Sequence, residues 1–284
     1  MSLFFVDSNC DLGAELIGKL SIECVTFPYS LDDENRTFDG DYDKLISKSR
    51  KLVHIGAGSL TSRNYVSIFE QCFKRGDDVL YLYTSEKIYN TKNLLKAKEK
   101  LDKEYPDRKL LLLDTCNFSI AQGLISYELA MKYRNGATLE ELEEYFYKVK
   151  NEYALYITMD SVQNLIDGGL VPSTLVSGSG LSVKPILSID YDGNFQLVEK
   201  VSGKKKAAMK LLDYMRKYGS NVADYTVGIV YAEDRILAEE LKAKVIESFG
   251  EETKVVVGRF SPNNLSLIGL GGLAVSFHVK KKIV

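Results

Sequence analysis

The chain has 284 residues, and 45% of them are hydrophobic, so it can form one large or two modest domains with a substantial core. Its 37 basic and 39 acidic residues give a formal charge of −2, which excludes nucleic acid as the expected main partner, because phosphate binding requires a basic excess. The sequence has no run of 18 apolar residues and no signal-peptide pattern at its start, so we expect a cytoplasmic protein without a transmembrane segment.

Strands and helices alternate in the first half of the chain. Apolar periodicity predicts strands over 3–8, 52–55, 79–83 and 110–113, and helices over 64–74, 90–105, 119–133 and 138–153. In the second of these helices, Leu94, Leu95 and Leu101 are expected to face inward. The last helix opens with a capping box formed by Thr138 and Glu141. This alternation predicts a parallel sheet with helices on both faces.

The second half is predicted to be a mixed sheet. Strands are expected over 155–159, 182–190, 195–202, 226–231, 254–259 and 273–280, and helices over 161–167, 205–218 and 235–249. Asp192-Gly193 lies between two of these strands and is a strong hairpin signal, so the sheet contains antiparallel pairs. We place the domain boundary near residue 153, which gives domains 1–153 and 154–284.

The turn Gly56-Ala57-Gly58 follows an apolar run and precedes a helix, as a dinucleotide-binding turn does. The fingerprint needs a third small residue, and that position is Thr61. The first strand, which normally carries the motif, ends instead in Asp7-Ser8. Three interpretations stay open: a nucleotide site over Gly56–Thr61, a plain tight turn, or a loop where a ligand approaches backbone amides at a helix N-terminus.

Signals for catalysis are weak. Both histidines, His54 and His278, are expected to be structural, and Ser177-Gly178-Ser179-Gly180 lacks the first glycine of a nucleophile elbow. The four cysteines have no zinc spacing and are expected to be reduced thiols. The sequence therefore predicts no catalytic residue, no metal and no cofactor. Lys184, before Pro185 in an apolar strand, suits a structural ion pair or hydrogen bond, with a ligand or partner contact as the alternative.

Several stretches together resemble the DegV family, whose members bind fatty acids. VDSNCDL (6–12) resembles the family's D-S-x-x-D-L opening, and DTCNFSIAQG (114–123) its D-S-x-x-x-S-x-x-x-G segment. LIDGGLVPSTLVSGSGLSVKPILSIDYDG (165–193) resembles L-x-x-G-G-R, then L-x-I-K-P-I-L, then the D-G hairpin. GKKKAAMKLL (203–212) follows at the expected place. The resemblance implies a two-domain fold, with a mainly parallel sheet and flanking helices in an N-terminal lipid-binding domain and a mixed sheet with a hairpin in the C-terminal domain.

The resemblance also implies an apolar tunnel for an acyl chain and a head-group site. The family's head-group loops T-S-Q-P-S and S-S-x-L-S-G-T fall on 57–61 and 85–91, and its late H-x-G-P-G segment falls on 267–271. The residues implied to bind the ligand are Gly58, Ser59, Thr61, Ser85, Tyr89, Asn90, Thr91 and Gly271. The tunnel is expected in the N-terminal domain, with its opening near Ser59 and Tyr89.

This sequence departs from the family pattern around the head group. Ala57 and Tyr89 replace hydroxyl residues of the loops, and Leu267 replaces the histidine. The resemblance further implies a fatty-acid kinase that phosphorylates the bound acid, but the arginines expected to face it are Leu170 and Ser202. We therefore expect lipid binding with poor phosphoryl transfer. The alternatives are a nucleotide-binding enzyme that uses Gly56–Thr61, or a relic fold that acts as an interaction module.

Overall fold

A computed structural model of the protein describes residues 2–32, 34–51, 55–176 and 182–282. The strands are β1 (Ser2–Asp7), β2 (Glu23–Val25), β3 (Tyr29–Leu31), β4 (Glu34–Arg36), β5 (Ile55–Ala57), β6 (Asp78–Tyr83), β7 (Leu110–Asp114), β8 (Tyr153–Thr158), β9 (Val183–Ile189), β10 (Phe195–Ser202), β11 (Val227–Tyr231), β12 (Val255–Arg259) and β13 (Leu273–His278). The α-helices are α1 (Ala14–Leu20), α2 (Tyr42–Arg50), α3 (Ser62–Lys74), α4 (Lys92–Glu104), α5 (Ser119–Arg134), α6 (Leu139–Val149), α7 (Gln163–Asp167), α8 (Lys204–Tyr218), α9 (Arg235–Phe249) and α10 (Pro262–Ile268).

The described strands form three sheets. The first is fully parallel, in the order β2-β1-β6-β7. The second is mixed, in the order β10-β9-β8-β13-β11-β12, and β11–β12 is its parallel pair. The third is a small antiparallel sheet, β4-β3-β5. The predicted parallel first half and the predicted hairpin between β9 and β10 are both confirmed.

The strand predicted over 52–55 does not belong to the parallel sheet. Its described part, Ile55, begins β5, which pairs antiparallel with β3 in the small sheet. Leu52, Val53 and His54 lie outside the described residues. The prediction that this strand pairs in the parallel sheet was wrong, because a short apolar run next to glycines does not indicate which strand it will pair with. As a result, the turn after β5 lacks the parallel-sheet setting that a dinucleotide site requires.

Helix α5 is buried on nearly all sides and lies between the two large sheets. It packs on β1 of the parallel sheet and on β8, β11 and β13 of the mixed sheet. A Cβ added to Gly228 of β11 would lie 2.2 Å from the Ile120 side chain, so the helix and the sheet are in close contact. One continuous apolar core includes Phe4 of the first sheet, Leu124 of α5 and Ile157 of the second sheet.

Two further predictions need correction. Leu95 is 50% exposed, and Ala97 faces inward between Leu94 and Leu101 instead, since the buried stripe follows the helical period. The helix predicted over 138–153 ends at Val149, although its capping box between Thr138 and Glu141 is confirmed. Helix α10 was not predicted. Ser261 caps it, and Pro262 occupies its first position.

Candidate ligand site at the carboxyl ends of the parallel strands

The parallel sheet has a switch point between β1 and β6. The chain leaves β1 toward β2 on one side and later returns to place β6 on the other. In open α/β sheets, ligands bind outside the carboxyl ends of the strands at such a point. Asp7 ends β1, Thr84 follows β6, and the Thr84 amide donates a hydrogen bond of 2.8 Å to the Asp7 carboxylate.

Asp7 is the first of two buried carboxyl groups at this edge. It is 1% exposed and accepts hydrogen bonds from the amides of Thr84 and Asn9. Burial raises its pKa to about 6, although the hydrogen bonds from Thr84 and from the Asn9 amide act in the opposite direction. These partners are all uncharged, so the Asp7 carboxylate is stabilised by hydrogen bonds from neutral donors and not by an ion pair.

Asp11 is the second buried carboxyl group. Its residue adopts a left-handed conformation, with φ 55°, after the short 3₁₀ turn Ser8–Cys10. The carboxylate accepts hydrogen bonds from the Ser119 hydroxyl, from the Ser261 amide at 2.7 Å and from the Asn264 Nδ2 at 2.8 Å. Burial raises its pKa to about 7, while these hydrogen bonds lower it. Asp11 thereby joins the first half of the chain to α10.

Two consecutive asparagines of α10 complete this junction. Asn263 exchanges two hydrogen bonds with the backbone of Gly58, one from the Gly58 amide at 3.2 Å and one to its carbonyl at 3.3 Å. Asn264 accepts a hydrogen bond of 2.9 Å from the Tyr89 hydroxyl and donates one of 2.8 Å to the Asn9 carbonyl. We call these contacts of Ser261, Asn263 and Asn264 the α10 clasp.

The clasp explains why position 58 is a glycine. A Cβ there would lie 2.2 Å from the carbonyl oxygen of Pro28, which is closer than any real contact. The loop after β5 therefore runs directly against the backbone that leads into β3. The same close approach brings the Gly58 amide to the Asn263 side chain.

The predicted ligand-binding residues lie at several different places in the structure. Gly58 and Tyr89 reach the clasp. Thr61 caps α3 in a capping box with Asn64. At the start of α4, Thr91 is the N-cap residue, and the Asn90 side chain accepts a hydrogen bond from the Lys92 amide. Ser59 is exposed beside this loop. Their contact with a ligand stays a prediction.

Ser85 and Gly271 face different neighbours. The buried Ser85 hydroxyl donates to the Gly193 carbonyl at 3.1 Å, so it holds the β9–β10 hairpin turn. A Cβ on Gly271 would lie 2.2 Å from the carboxyl group of Asp160. That carboxyl forms an ion pair of 2.7 Å with Lys184, whose side chain is 16% exposed. This ion pair agrees with the structural interpretation of Lys184, and the alternative of a ligand or partner contact stays a prediction.

Most of this polar network was not predicted from the sequence. Asp7, Asn9 and Asp11 were visible as a polar run directly after the first strand, and they belong to the opening motif quoted above. No local signal pointed to Asn263 or Asn264. The amide nitrogens of Asn9 and Gln122, both at most 1% exposed, have no hydrogen-bond acceptor among the described residues. They are available to an oxygen atom of a ligand or of water.

The hollows described on the surface lie away from this network. One of about 670 Å³ lies beside the C-terminal end of α5 and is lined by charged side chains such as Lys132, Glu141 and Lys148. It is polar and open, so it differs from the elongated apolar cavity predicted above, which stays a prediction. Among the described residues, no His, Cys, Asp and Glu cluster could hold a metal ion, and no helix has the length and apolarity to span a membrane.

The fold and the buried network define an α/β protein with one large parallel sheet, one large mixed sheet and a buried polar network at the switch point of the parallel sheet. The family model "Uncharacterised protein, DegV family" matches residues 4–280, so the chain belongs to the DegV family. It is 28% identical over 291 residues to a DegV domain-containing protein of Clostridium perfringens, which covers 97% of this chain and 96% of that protein.

Two solved structures share the fold. A DegV family protein from Thermus thermophilus, described as fatty-acid binding, matches with a TM-score of 0.84 and 19% identity over 98% of this chain and 99% of its own. The Streptococcus pneumoniae fatty acid kinase B3 protein, loaded with linoleic acid, matches with a TM-score of 0.83 and 17% identity over 98% and 100% of the two chains.

Proposed function

We propose that the protein binds one long-chain fatty acid or a similar single-chain lipid and acts as a carrier rather than as an enzyme. The observation that carries this proposal is the similarity of fold, over nearly the whole chain, to proteins described as binding or loaded with fatty acids. We place the polar head near Gly58 and Tyr89, between proposed domains 1–153 and 154–284.

The extent of the apolar core supports the binding of an acyl chain. Several half-buried apolar side chains pack, as Tyr89 does, against the main apolar core. They are Leu16, Tyr29, Phe38, Leu170, Leu267 and Leu270. Burial of an acyl chain contributes about 0.8 kcal/mol per methylene, or roughly 10 kcal/mol for a long tail before the costs of binding. Hydrogen bonds to the head add about 1 kcal/mol each, so the tail dominates affinity.

The implied kinase partner is supported less well. Leu170 packs inward against the core, and Ser202 is exposed at the end of β10 without a charge. Neither supplies the guanidinium group that a charged partner surface would recognise. We therefore propose binding and presentation of the lipid with inefficient phosphoryl transfer.

The α10 clasp favours a second candidate, an interaction module in which internal side chains fill the head-group place. The nucleotide-binding alternative has no such support, because the Gly58 amide is bonded to Asn263 and β5 lies in the antiparallel sheet.

Extraction of the purified protein and mass spectrometry distinguish these functions. The carrier yields about one single-chain lipid per chain, and the module yields none. After removal of lipid, calorimetric titration with oleic acid should show saturable one-to-one binding; the chain has no tryptophan, so its intrinsic fluorescence is a poor alternative. A bound nucleotide, or no uptake of any lipid, would contradict the carrier function.

A further inference from the structure

The mixed sheet ends in two edge strands, β10 and β12, which differ in their protection against other strands. A sheet edge exposes N–H and C=O groups, and proteins guard such edges with bulges and charged side chains. β10 has both, because a bulge interrupts its pairing between Leu197 and Glu199, and Glu199 and Lys200 carry charges. β12 reads Val-Val-Val-Gly-Arg and pairs with β11 in a continuous register from Val255 to Arg259. β12 therefore lacks a bulge, and its first four residues are uncharged.

The backbone of β12 points alternately to β11 and to the free edge. The Lys254 carbonyl accepts a hydrogen bond of 2.8 Å from the Val227 amide. The Phe260 amide donates one of 3.2 Å to the Tyr231 carbonyl. Because the backbone groups of every second residue of a strand point to the same side, the residues between these two alternate in the same way. The residues whose N–H and C=O groups point away from β11 are Val255, Val257 and Arg259, and no described strand pairs with them.

Both faces of β12 are covered, but its edge is accessible. Helix α9 packs on one face. On the other face, a Cβ added to Gly258 would lie 2.9 Å from the carbonyl oxygen of Asp11. All five residues of β12 are only half-buried, so part of each stays accessible. Since Gly258 has no side chain, its accessible part is backbone, and with both faces covered it lies along the edge.

The charged side chain of β12 is turned back over its own chain. The Arg259 guanidinium is 3.3 Å from the Asp43 carboxylate and 4.7 Å from the centre of the Tyr42 ring. It therefore does not extend beyond the edge. The remaining side chains of the strand are three valines and a glycine, so neither charge nor bulk keeps a second strand away.

We propose that β12 is a self-association surface, through which two copies of the chain pair in antiparallel orientation about a two-fold axis at Val257. The outward residues are symmetric about this position, so Val257 meets Val257 of the second copy and Val255 meets Arg259. Each of these three pairs exchanges two backbone hydrogen bonds, about six in all. The two six-stranded sheets then form one continuous sheet, and the use of the same surface on both copies closes the assembly as a dimer.

A second copy fits this edge better than an arbitrary extended segment does. It gives every outward backbone group of β12 a partner, and it places β-branched residues opposite each other, which is a favourable cross-strand pair. The nearest exposed cation, Lys254, precedes the strand, and the antiparallel arrangement holds the two Lys254 side chains at opposite ends of the contact. The pairing therefore brings no like charges together along the strand.

The size of the contact indicates a weak dimer. Protein interfaces have about one hydrogen bond per 100–200 Å², so about six bonds correspond to roughly 600–1,200 Å² of buried surface. This is the low end for specific interfaces, and we expect a Kd on the order of 10 µM. Monomer and dimer should therefore exchange at ordinary laboratory concentrations.

Sedimentation equilibrium of the full chain, from about 1 to about 300 µM, measures this association by mass action. The average mass should rise from one chain toward two. Val257→Pro removes the N–H groups at the axis but no bond to β11, a position where edge strands tolerate proline, and should weaken the dimer at least tenfold. Val257→Thr keeps the N–H group and is the matched control, with a Kd within about twofold of the wild type. A wild type that stays monomeric, or a dimer that folded Val257→Pro leaves unchanged, would overturn the proposal.

A disulfide trap tests the register and does not depend on the folding of the proline variant. In the proposed dimer, the two Cα atoms at position 257 are about 5.5 Å apart, within reach of a disulfide. Val257→Cys should therefore form covalent dimers on mild oxidation. Val255→Cys is the control, because its two copies lie about 13 Å apart along the strands. The wild type, with its four native thiols, gives the background. Equal cross-linking of the two variants, or none above this background with Val257→Cys, would overturn the pairing.

Discussion

We expect the free energy of unfolding to fall between pH 5 and pH 8 because of the two buried carboxyl groups, Asp7 and Asp11. Their pKa values rise from 3.8 to about 6 for Asp7 and about 7 for Asp11, mainly because of burial. The folded state thus holds these protons more tightly than the unfolded state does. The associated stabilisation is complete below pH 3.8 and is lost as the pH rises through the folded pKa values.

The magnitude follows from the two shifts. At 1.36 kcal/mol per pKa unit, Asp11 accounts for about 2–3 kcal/mol between pH 5 and pH 8 and Asp7 for about 1–2 kcal/mol. The free energy of unfolding should therefore fall by about 4 kcal/mol over this range. Lys282, whose pKa burial lowers to about 8, adds stability only above that pH, so the measurement stops there.

Urea unfolding followed by far-UV circular dichroism at half-unit pH steps measures this loss. Asp11→Asn should remove more than half of the slope with pH, whatever its effect on stability at pH 5. Asp167→Asn, at an exposed position on α7, is the control and should leave the slope unchanged. Equal or greater stability of the wild type at pH 8 than at pH 5 would refute the reasoning.

Three further outcomes are expected. Gly58→Ala should destabilise the fold by about 2–4 kcal/mol, because the added Cβ collides with the Pro28 backbone and hydrogen bonds are lost. Gly18→Ala in α1, where a Cβ meets no neighbour, should be neutral or stabilising by up to about 1 kcal/mol. Equal effects of the two variants in urea unfolding would contradict this contrast. Lys184→Met should lower the unfolding free energy by about 1 kcal/mol and keep lipid uptake, and an unchanged melting temperature with abolished uptake would show a ligand contact instead. With a fatty-acid kinase from the same organism, acyl-phosphate formation should be at least tenfold slower than with a carrier that bears the full head-group motifs. The double variant Ala57→Thr, Tyr89→Ser should raise the turnover more than it raises the affinity for the lipid. A wild-type rate within a few-fold of that carrier would exclude a defect in head-group placement.

Local chemistry was enough to predict the elements with strong periodicity. Helix α9 has the predicted bounds, as does β10, and the Asp192-Gly193 turn formed the expected hairpin. These features depend on residues a few positions apart. The family resemblance drew attention to Gly58 and Tyr89, which both bond to α10, and their contact with a ligand stays a prediction.

The polar clasp could not be predicted in this way. Asn264 bonds to Asn9 across 255 positions of the chain, and Asn263 reaches Gly58 across 205. Such pairs arise only when α10 is placed against the ends of β1 and β5 by the whole fold. The residues next to Asn263 include no acid that could mark a site, and the glycines of the nearby stretch 269–272 do not indicate which distant residues Asn263 will contact. Side chains that act through long-range hydrogen bonds carry no local pattern.

The burial of α5 between two sheets has a consequence for synthesis on the ribosome. The helix is complete at Arg134, but the last strand that covers it, β13, ends at His278. At 5–20 residues per second, roughly seven to thirty seconds pass before that strand has been synthesised. During this interval the nascent chain exposes apolar side chains of α5, such as Ile120, Leu124 and Ile125, that are buried in the folded protein. We expect the emerging first half to need a holding chaperone, and truncation after residue 153 to give insoluble material.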